Sequence, residues 1–543
     1  MKLTDQHHRI PIKIHTVLTI TLTALAIASI FWRIFVLTLS VRNDFDESKS
    51  NWDRLSTEID AIRIQWNVPG VAVGVVRAGN LVYSSGFGIR NSKQEAVTPQ
   101  TLFQVGSTTK AFTSFATATL VDEGKFEWDT PISVLNPKIK FYDPITTIEA
   151  NFIDIMSHRT GLPFHNQLQW IWPSFDDINE RLQYIQPSAQ LRAKFQYSNN
   201  MFNLAGILAA NISSYETWEK LVTERILKPL GMTNSIVDPK AMKESSNHSK
   251  GFRNIGGKAV EYEHYNQTYR CNGPRPAGSI ISSVEDLSKW VAVFNRRGAL
   301  KNGTQLISKK QFNMVVTPHT SLGKPIIPNN PVQFEYYGLG WFLDSYRGTP
   351  RIHHSGSTLG YSAQLTTFPD HDMAIIVLTN MDSSKAAITI SNTISDRLLF
   401  SSINFDWAKF YKMQMAELEE SKRKLRQKII DSKTPGTQPR HNFVRYSGSF
   451  TNLGYGTILL KPHDESSKLF NFWWNNYVNN PAFLFGTIGH WEYDSWGIFE
   501  IPEIAVRDFE APYWKLEFIN GGCDVFVIDF AEDGVDPPII KVM

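Results

Sequence analysis

The alternation of apolar and polar residues predicts an antiparallel sheet interrupted by a helical region. Residues 71–76 and 81–87 read as two strands joined by a Gly-Asn turn. A mostly helical stretch follows to about residue 320, and strands return at 337–342, 357–368 and 373–380 before a helix over 386–400. Strands from both ends of this region flank a helical middle. This order favours an α+β fold, in which one antiparallel sheet carries an inserted α domain, over residues 53–405.

The pattern changes after this region. Residues 410–433 are charged and favour a helix, and the Pro- and Gly-containing stretch 434–440 follows, so we expect a helical linker over 406–440. Residues 441–543 are rich in aromatic and β-branched residues at short spacing, with Gly and Asn between them. That pattern predicts a small all-β barrel or sandwich.

The N-terminal segment predicts a membrane anchor. Residues 17–32 are free of charge, and Arg33 is the one charged side chain of 14–41 apart from the titratable His15. About 20 apolar residues cross a bilayer. Basic residues precede the segment and acidic residues follow it, which places the tail 1–13 in the cytosol and the bulk of the chain on the luminal or extracellular side. Two alternatives stay open: a signal peptide cleaved near residues 26–28, giving a secreted protein, and a mitochondrial presequence.

Composition narrows the function classes. The 55 basic and 52 acidic residues leave a net charge of +3, so a nucleic-acid partner is not expected. Two cysteines, Cys271 and Cys523, are too few for a disulfide scaffold or a zinc site, and whether they pair stays open. We expect no cofactor and no metal. Four Asn-x-Ser/Thr sequences permit glycosylation, at Asn211, Asn247, Asn266 and Asn302.

The tetrad Ser-Thr-Thr-Lys at residues 107–110 is the first candidate for chemistry. If a helix begins at Ser107, Lys110 lies one turn later on the same face, where its amine can activate the serine hydroxyl. Unpaired N–H groups at the helix start can stabilise an oxyanion. The same spacing recurs at 321–324, in a loop, and at 421–424, in a charged helix. The copy at 107–110 alone opens an apolar helix, so we assign the nucleophile to Ser107.

Two further clusters supply polar groups. Tyr197 and Asn199 follow each other closely: a phenol beside a lysine ammonium can have its pKa lowered and act as base and then acid, and the amide can orient Lys110 and a substrate carbonyl. His354, Ser355 and Gly356 lie on a predicted strand edge. There the glycine admits a substrate backbone, and the N–H of the next residue can complete an oxyanion hole.

These three elements, in this order, resemble the serine β-lactamase, penicillin-binding protein and related esterase superfamily over roughly residues 53–405. Secondary patterns agree, at residues 155–163, 230–233, 276–279 with 285–287, and 337–341. The resemblance implies a covalent acyl-enzyme mechanism with Ser107 as nucleophile, Lys110 and Tyr197 as the base and acid, and Asn199 as a positioning group. Residues His354 to Gly356 would match the third motif, with Ser357 beside it. The region after the linker is similar to the lipocalin-like domain of some serine peptidases.

One departure from the superfamily matters. Many β-lactamases and transpeptidases carry a lysine where this chain has His354. A histidine with a reference pKa of about 6.5 is mostly neutral at neutral pH. This difference favours an esterase or peptidase over a true β-lactamase. It also predicts activity that changes with pH near neutrality, through His354.

The sequence therefore predicts a membrane-anchored serine hydrolase that acts on a small ester, amide or peptide. A peptidase gated by its C-terminal β domain, and a non-catalytic scaffold that keeps the fold, are the alternatives. The expected partners are a small-molecule or peptide substrate and the membrane, and the sequence is compatible with a homo-oligomer.

Overall fold

The computed structural model describes residues 47–542 except 167, 173, 263–274, 327–329, 383, 401–404, 432, 464–468, 476–483, 494, 501–513, 519–525 and 531–539. The predicted membrane segment 14–41 lies outside the described residues, and so do Asn266, Cys271 and Cys523. Among the helices that are described, none combines the length and the apolar composition that crossing a membrane requires.

The α-helices of the described residues are mostly short, and five of them have 14 residues or more. They are Lys49–Gln65, Thr109–Asp122, Ile132–Leu135, Pro144–Glu149, Phe152–Met156, Leu168–Ile171, Phe175–Arg181, Asn199–Ile212, Trp218–Val222, Lys228–Leu230, Arg275–Gly278, Val284–Asn295, Lys309–Val315, Ala386–Leu399 and Trp407–Asp431. A π-helical segment is Thr223–Leu227. The 3₁₀ segments are Gly106–Thr108, Leu182–Tyr184, Pro239–Glu244, Pro369–His371 and Phe443–Tyr446.

The strands are numbered in chain order. They are β1 Gly70–Arg77, β2 Asn80–Gly88, β3 Phe103–Gln104, β4 Gly251–Ile255, β5 Lys258–Tyr262, β6 Ile281–Ser282, β7 Thr320–Ser321, β8 Val332–Tyr337, β9 Phe342–Tyr346, β10 Thr349–Thr358, β11 Tyr361–Phe368, β12 Met373–Thr379, β13 Gly448–Asn452, β14 Gly456–Pro462, β15 Leu469–Asn475, β16 Leu484–Glu492, β17 Ser495–Glu500, β18 Trp514–Phe518, β19 Phe526–Phe530 and β20 Ile540–Val542.

The first large sheet joins the two ends of residues 53–405, the predicted catalytic region, as the sequence predicts. Its strand order is β2-β1-β12-β11-β10-β9-β8-β7. Strand β1 pairs with β12 in antiparallel register, with Val73 opposite Val377. The helical region between β2 and β7 is inserted into this sheet. This arrangement confirms the α+β prediction.

Strand β1 explains how the sheet acquires two buried faces. Alternate side chains point to opposite faces of a strand. Ala72 and Val76 accordingly join the core that contains the helices Thr109–Asp122 and Val284–Asn295. Val71, Val73 and Val75 join a second core, formed with Lys49–Gln65 and Ala386–Leu399. Because both faces are covered, the strand is almost continuously apolar.

The second large sheet contains β13 to β20 in chain order, with antiparallel pairing between neighbours. Its first and last strands, β13 and β20, also contact each other. Tyr446, Phe450 and Tyr455 belong to the same apolar core as the helix Thr109–Asp122. This sheet therefore packs on the catalytic region. The likeness of this part to lipocalins stays a prediction.

Local boundaries differ from the sequence-based ones where glycines form turns. The predicted strand 337–342 is a turn between β8 and β9, in which the Gly338 N–H donates to the Trp341 carbonyl over 2.8 Å. The predicted strand 357–368 is two strands that reverse at Gly360, whose φ is +80°. The predicted linker helix begins inside the core, because Trp407 and Tyr411 are buried against the first sheet.

Candidate active site

Ser107 lies in a tight turn at the start of a buried helix. The 3₁₀ segment Gly106–Thr108 leads directly into Thr109–Asp122. Gly106 has a φ of +53°, a left-handed conformation that favours glycine. The side chain of Ser107 is partly exposed, whereas nearly every later residue of the helix is buried. The apolar helix thus anchors the turn and leaves the serine accessible.

Lys110 is the buried partner of this serine. It is fully buried, and its Nζ atom lies 3.2 Å from Ser107 Oγ, 2.7 Å from Asn199 Oδ1 and 2.8 Å from the Ala277 carbonyl oxygen. A neutral amine has two N–H donors and one lone pair. The two N–H groups can donate to the oxygens of Asn199 and Ala277, which only accept, and the lone pair then faces the hydroxyl of Ser107. These contacts suit an uncharged amine that accepts the serine proton.

The surroundings of Lys110 favour that uncharged form. Burial holds the pKa of Lys110 well below its usual value. Its three polar contacts are all uncharged groups, and the rings of Tyr197 and Phe202 lie 4.8 and 5.5 Å from Nζ. A buried lysine without a carboxylate in contact pays the full desolvation penalty when protonated. Its amine is therefore more readily available as a base than that of an exposed lysine.

Asn199 holds the lysine from the side, at the start of the helix Asn199–Ile212. Its Oδ1 accepts from Lys110, and its Nδ2 donates to Asn166 Oδ1 over 3.1 Å. The second contact fixes which end of the amide faces the lysine, because the oxygen of Asn166 can only accept. Asn166 is a neighbour that the sequence motifs did not indicate.

Tyr197 reaches the site, but its protonation differs from the prediction. Its hydroxyl is hydrogen-bonded to the side chain of Ser107. Burial raises the pKa of Tyr197 above its usual value, and the hydrogen bond to Ser107 opposes this shift only in part. The expected lowering of its pKa by Lys110 is therefore wrong, because burial of the phenol dominates the shift. Tyr197 is a proton donor at neutral pH and not the resting base.

His158 supports Tyr197 and was not singled out from the sequence as a site residue. Its ring is fully buried, with its centroid 4.3 Å from that of Tyr197, and its Nδ1 accepts from the backbone N–H of Ser198 over 3.0 Å. Burial, and next the charge of Lys110, lower the pKa of His158. His158 lies within the superfamily pattern at residues 155–163, which was the available signal.

Strand β10 passes directly over the serine turn. A Cβ on Gly356 would lie 1.9 Å from the Val105 carbonyl oxygen and 3.2 Å from the Ser107 amide nitrogen. A Cβ on Gly106 would lie 2.8 Å from the Ser357 amide nitrogen. Two glycines therefore permit this close approach. It brings the backbone nitrogens of Ser107 and Ser357 together at the serine turn, where their N–H groups can serve as an oxyanion hole.

The edge of β10 is open beside this turn. Pairing with β9 ends at His353 opposite Phe342, whereas pairing with β11 continues to Thr358. The side chains of Ser355 and Ser357 are exposed. The structure therefore brings the backbone of this motif to the serine turn and leaves both serine side chains exposed.

His354 is part of a buried pair and does not face solvent as a free cation would. Its Nδ1 is 2.5 Å from the Ser355 carbonyl oxygen, so this nitrogen donates, and its Nε2 accepts from the Tyr337 hydroxyl at 2.9 Å. Burial, followed by the charge of Lys110, lowers the pKa of His354 to about 3. The predicted titration of His354 near neutral pH is therefore wrong.

The candidate glycosylation sites differ in their surroundings. Asn211 and Asn302 are exposed. Asn247 uses its amide inside the fold, because Nδ2 donates to Thr98 and Oδ1 accepts from Thr101. The side chain of Asn247 is therefore engaged in the folded chain.

Comparison with known proteins agrees with this geometry. The family model described as Beta-lactamase matches residues 55–392, which include Ser107, Lys110, Tyr197, Asn199 and His354. The chain belongs to the beta-lactamase family. The resemblance to serine β-lactamases and penicillin-binding proteins is thereby confirmed.

Individual relatives of this beta-lactamase family member are distant. An unguisins hydrolase from Aspergillus campestris is 26% identical over 432 residues, covering 75% of this chain and 77% of the relative. Protein flp from Staphylococcus aureus is 24% identical over 332 residues, covering 58% and 60%. The octameric penicillin-binding protein homologue from Pyrococcus abyssi has a TM-score of 0.56 and 18% identity, covering 90% of this chain and 99% of that chain. This last likeness shows the fold.

Within the beta-lactamase family fold, these groups are arranged as acyl transfer requires. Ser107 can supply a nucleophile, Lys110 a base, and Tyr197 a proton donor. The backbone nitrogens of Ser107 and Ser357 lie at the same turn. Asn199 and His158 hold the lysine and the phenol in place.

Proposed function

We propose that this protein is a serine hydrolase that cleaves a small ester, amide or peptide through a covalent acyl-Ser107 intermediate. The observation that carries the proposal is the contact between Ser107 Oγ and the buried, carboxylate-free amine of Lys110 at 3.2 Å. Such a lysine has no carboxylate beside it to stabilise its protonated form, so it can act as a base toward the serine. Membership of the beta-lactamase family and the hydrolase among its relatives support the same reading.

The acylation step follows from the contacts. Lys110 Nζ takes the proton of Ser107, and the serine oxygen attacks the substrate carbonyl carbon to form a new C–O bond. The carbonyl oxygen becomes an oxyanion that the N–H groups of Ser107 and Ser357 stabilise. The bond to the leaving group then breaks, and the leaving group takes a proton from Tyr197. The proton held by Lys110 replaces the one that Tyr197 gave up.

Deacylation repeats the step with water. Lys110 takes a proton from a water molecule, and the oxygen of that water attacks the acyl carbon. When the acyl–oxygen bond breaks, Ser107 Oγ regains a proton and the carboxylic acid product leaves. The resting neutral amine and neutral phenol are restored. The cycle needs no group beyond the chain and water.

The substrate preference follows from β10. Neutral His354 places no permanent cation beside the site, so a substrate carboxylate gains no ion pair there. The open edge of β10 between His353 and Thr358 accepts an extended backbone by strand addition. We therefore expect esters and peptide-like amides to be better substrates than β-lactams.

A substrate panel tests this function. Aryl esters, short peptide amides and a chromogenic β-lactam are compared at equal enzyme concentration, with Ser107→Ala as the matched control. We expect turnover of esters or amides that Ser107→Ala abolishes. If the wild-type protein hydrolyses no member of the panel while it remains folded, the scaffold alternative gains support.

A peptidase with restricted access is the second candidate. The observation that favours it is the tip of the β13–β14 hairpin, where the Gly454 carbonyl accepts from Trp172 Nε1 over 2.8 Å beside the region that carries Asn166. A hairpin tip in this position would limit the length of the peptide that can bind. Peptide amides of increasing length test this, because kcat/KM should fall sharply beyond a short length.

We also propose that residues 14–41 anchor the protein, with the catalytic region on the luminal or extracellular side. The apolar run and the charge bias around it support this. Carbonate extraction and protease protection of membranes test it. A homo-oligomer is a further expectation, since the similar structure from Pyrococcus abyssi is described as octameric. Light scattering on purified protein measures the assembly.

A further inference from the structure

The tip of the β13–β14 hairpin is built into the catalytic region. Trp172 donates to the Gly454 carbonyl over 2.8 Å, and both atoms are buried. A Cβ on Gly454 would lie 2.5 Å from Ile185 Cδ1 and 3.2 Å from the Tyr184 carbonyl oxygen, so the hairpin packs closely against this segment. The tip is therefore seated at one position, and the residue after Gly454 has a defined place.

That residue, Tyr455, contacts the loop beside the active site. Its hydroxyl lies 2.8 Å from His165 Nδ1, and each of the two residues is 3% exposed. Among the described residues, the other ring nitrogen of His165 has no hydrogen-bond partner. Burial lowers the pKa of His165 to about 3, so the ring is neutral. Among the described residues, Tyr455 is thus the hydrogen-bond partner of the His165 imidazole.

A short series of hydrogen bonds links the loop at His165 to the catalytic lysine. The His165 carbonyl accepts from Asn200 Nδ2 over 3.0 Å, and the next residue, Asn166, accepts from Asn199. Asn199 in turn accepts from Lys110 over 2.7 Å. His165 has a φ of +42°, which is unfavourable for a residue with a side chain and needs surrounding contacts to hold it.

We infer that Tyr455 is a positioning residue of the hydrolase site, because it fixes the His165–Asn166 segment that orients Asn199 and Lys110. The inference rests on the proposed function. On this inference the C-terminal sheet helps to position the active-site residues, in addition to any limit that the sheet sets on access.

Kinetics of Tyr455→Phe and Tyr455→Ala in the full-length protein test the inference. Phenylalanine keeps the ring in the core and removes the hydroxyl alone. We expect kcat on an aryl ester to fall roughly 3- to 10-fold for Tyr455→Phe and further for Tyr455→Ala, with KM within about 2-fold of wild type. Leu453→Ala, in the same turn with a side chain that is 64% exposed, is the matched control and should keep wild-type kinetics.

Three readouts separate the outcomes: steady-state kinetics, active-site titration with a fluorophosphonate, and thermal unfolding. The last two correct kcat for any unfolded fraction. An unchanged corrected kcat for both Tyr455 variants overturns the inference, and so does a rise in KM with kcat unchanged, which would mean substrate contact. Absence of fluorophosphonate labelling in the wild type would instead contradict the proposed function itself, so the two failures are distinguishable.

Discussion

The amine of Lys110 and the hydroxyl of Ser107 lie 3.2 Å apart, and within the part of the chain that the structure describes no carboxylate is a hydrogen-bond partner of that amine. Separated by three positions at the start of a helix, the two side chains meet on one face. Burial of the lysine makes the contact a nucleophile–base pair, since the lysine is favoured as the neutral amine.

Replacing Lys110 should remove most of the activity. Lys110→Met lacks a base, and Lys110→Arg keeps a positive charge that does not dissociate. We expect kcat to fall about 10²- to 10⁴-fold in both variants. Steady-state kinetics on an aryl ester measure the loss. Lys324→Met, in the exposed tetrad 321–324, is the control and should be near wild type. Near-normal kcat in Lys110→Arg would refute the assignment of the base.

Tyr197→Phe should lower kcat about 100-fold with little change in KM. Phenylalanine keeps the ring 4.8 Å from Lys110 Nζ and the packing on His158, so the loss reports on the hydroxyl. Pre-steady-state measurement of acylation with esters of differing leaving groups is the test. The defect should be largest for poor leaving groups, which need a proton most. Equal defects for all leaving groups would show that Tyr197 donates no proton to them.

The pH profile should follow Lys110 and not His354. Raising the pH converts the lysine ammonium to the amine, so kcat/KM should rise through the lowered pKa of Lys110 to a plateau. His354, with a pKa of about 3, stays neutral from about pH 5.5 to 8 and contributes no step there. His354→Gln should therefore keep the midpoint of the wild-type profile. A step near pH 6.5 that disappears in His354→Gln would contradict the buried, neutral histidine.

Gly356→Ala should abolish activity, whereas Ser357→Ala should retain most of it. The added Cβ at position 356 would lie 1.9 Å from the Val105 carbonyl oxygen, so β10 must move away from the serine turn. Ser357→Ala leaves the backbone N–H in place and alters an exposed side chain. Loss of an oxyanion donor lowers kcat about 10²- to 10³-fold. If Ser357→Ala loses as much activity as Gly356→Ala, the hydroxyl and not the backbone acts.

Much of this arrangement could be predicted from the sequence. Strands predicted at both ends of the region indicated one shared antiparallel sheet, and the spacing of Ser107 and Lys110 indicated a shared helix face. These predictions depend on local periodicity. They needed no knowledge of which distant residues surround each group.

The protonation states could not be predicted, because they depend on burial. Tyr197 is enclosed by the rings of His158, Phe195 and Tyr337, which come from different parts of the chain. His354 is neutral because it is buried and Tyr337 donates to it. The contact between Tyr455 and His165 joins residues 290 positions apart and leaves no trace in the local pattern.

Labelling with a fluorophosphonate tests the central claim most directly. Intact-mass spectrometry of the wild-type protein should show one adduct, which peptide mapping places on Ser107. Ser107→Ala, with the same thermal unfolding, should show none, and Lys110→Met should label far more slowly than wild type. A folded wild-type protein that stays unlabelled, or an adduct that persists in Ser107→Ala, would contradict the account.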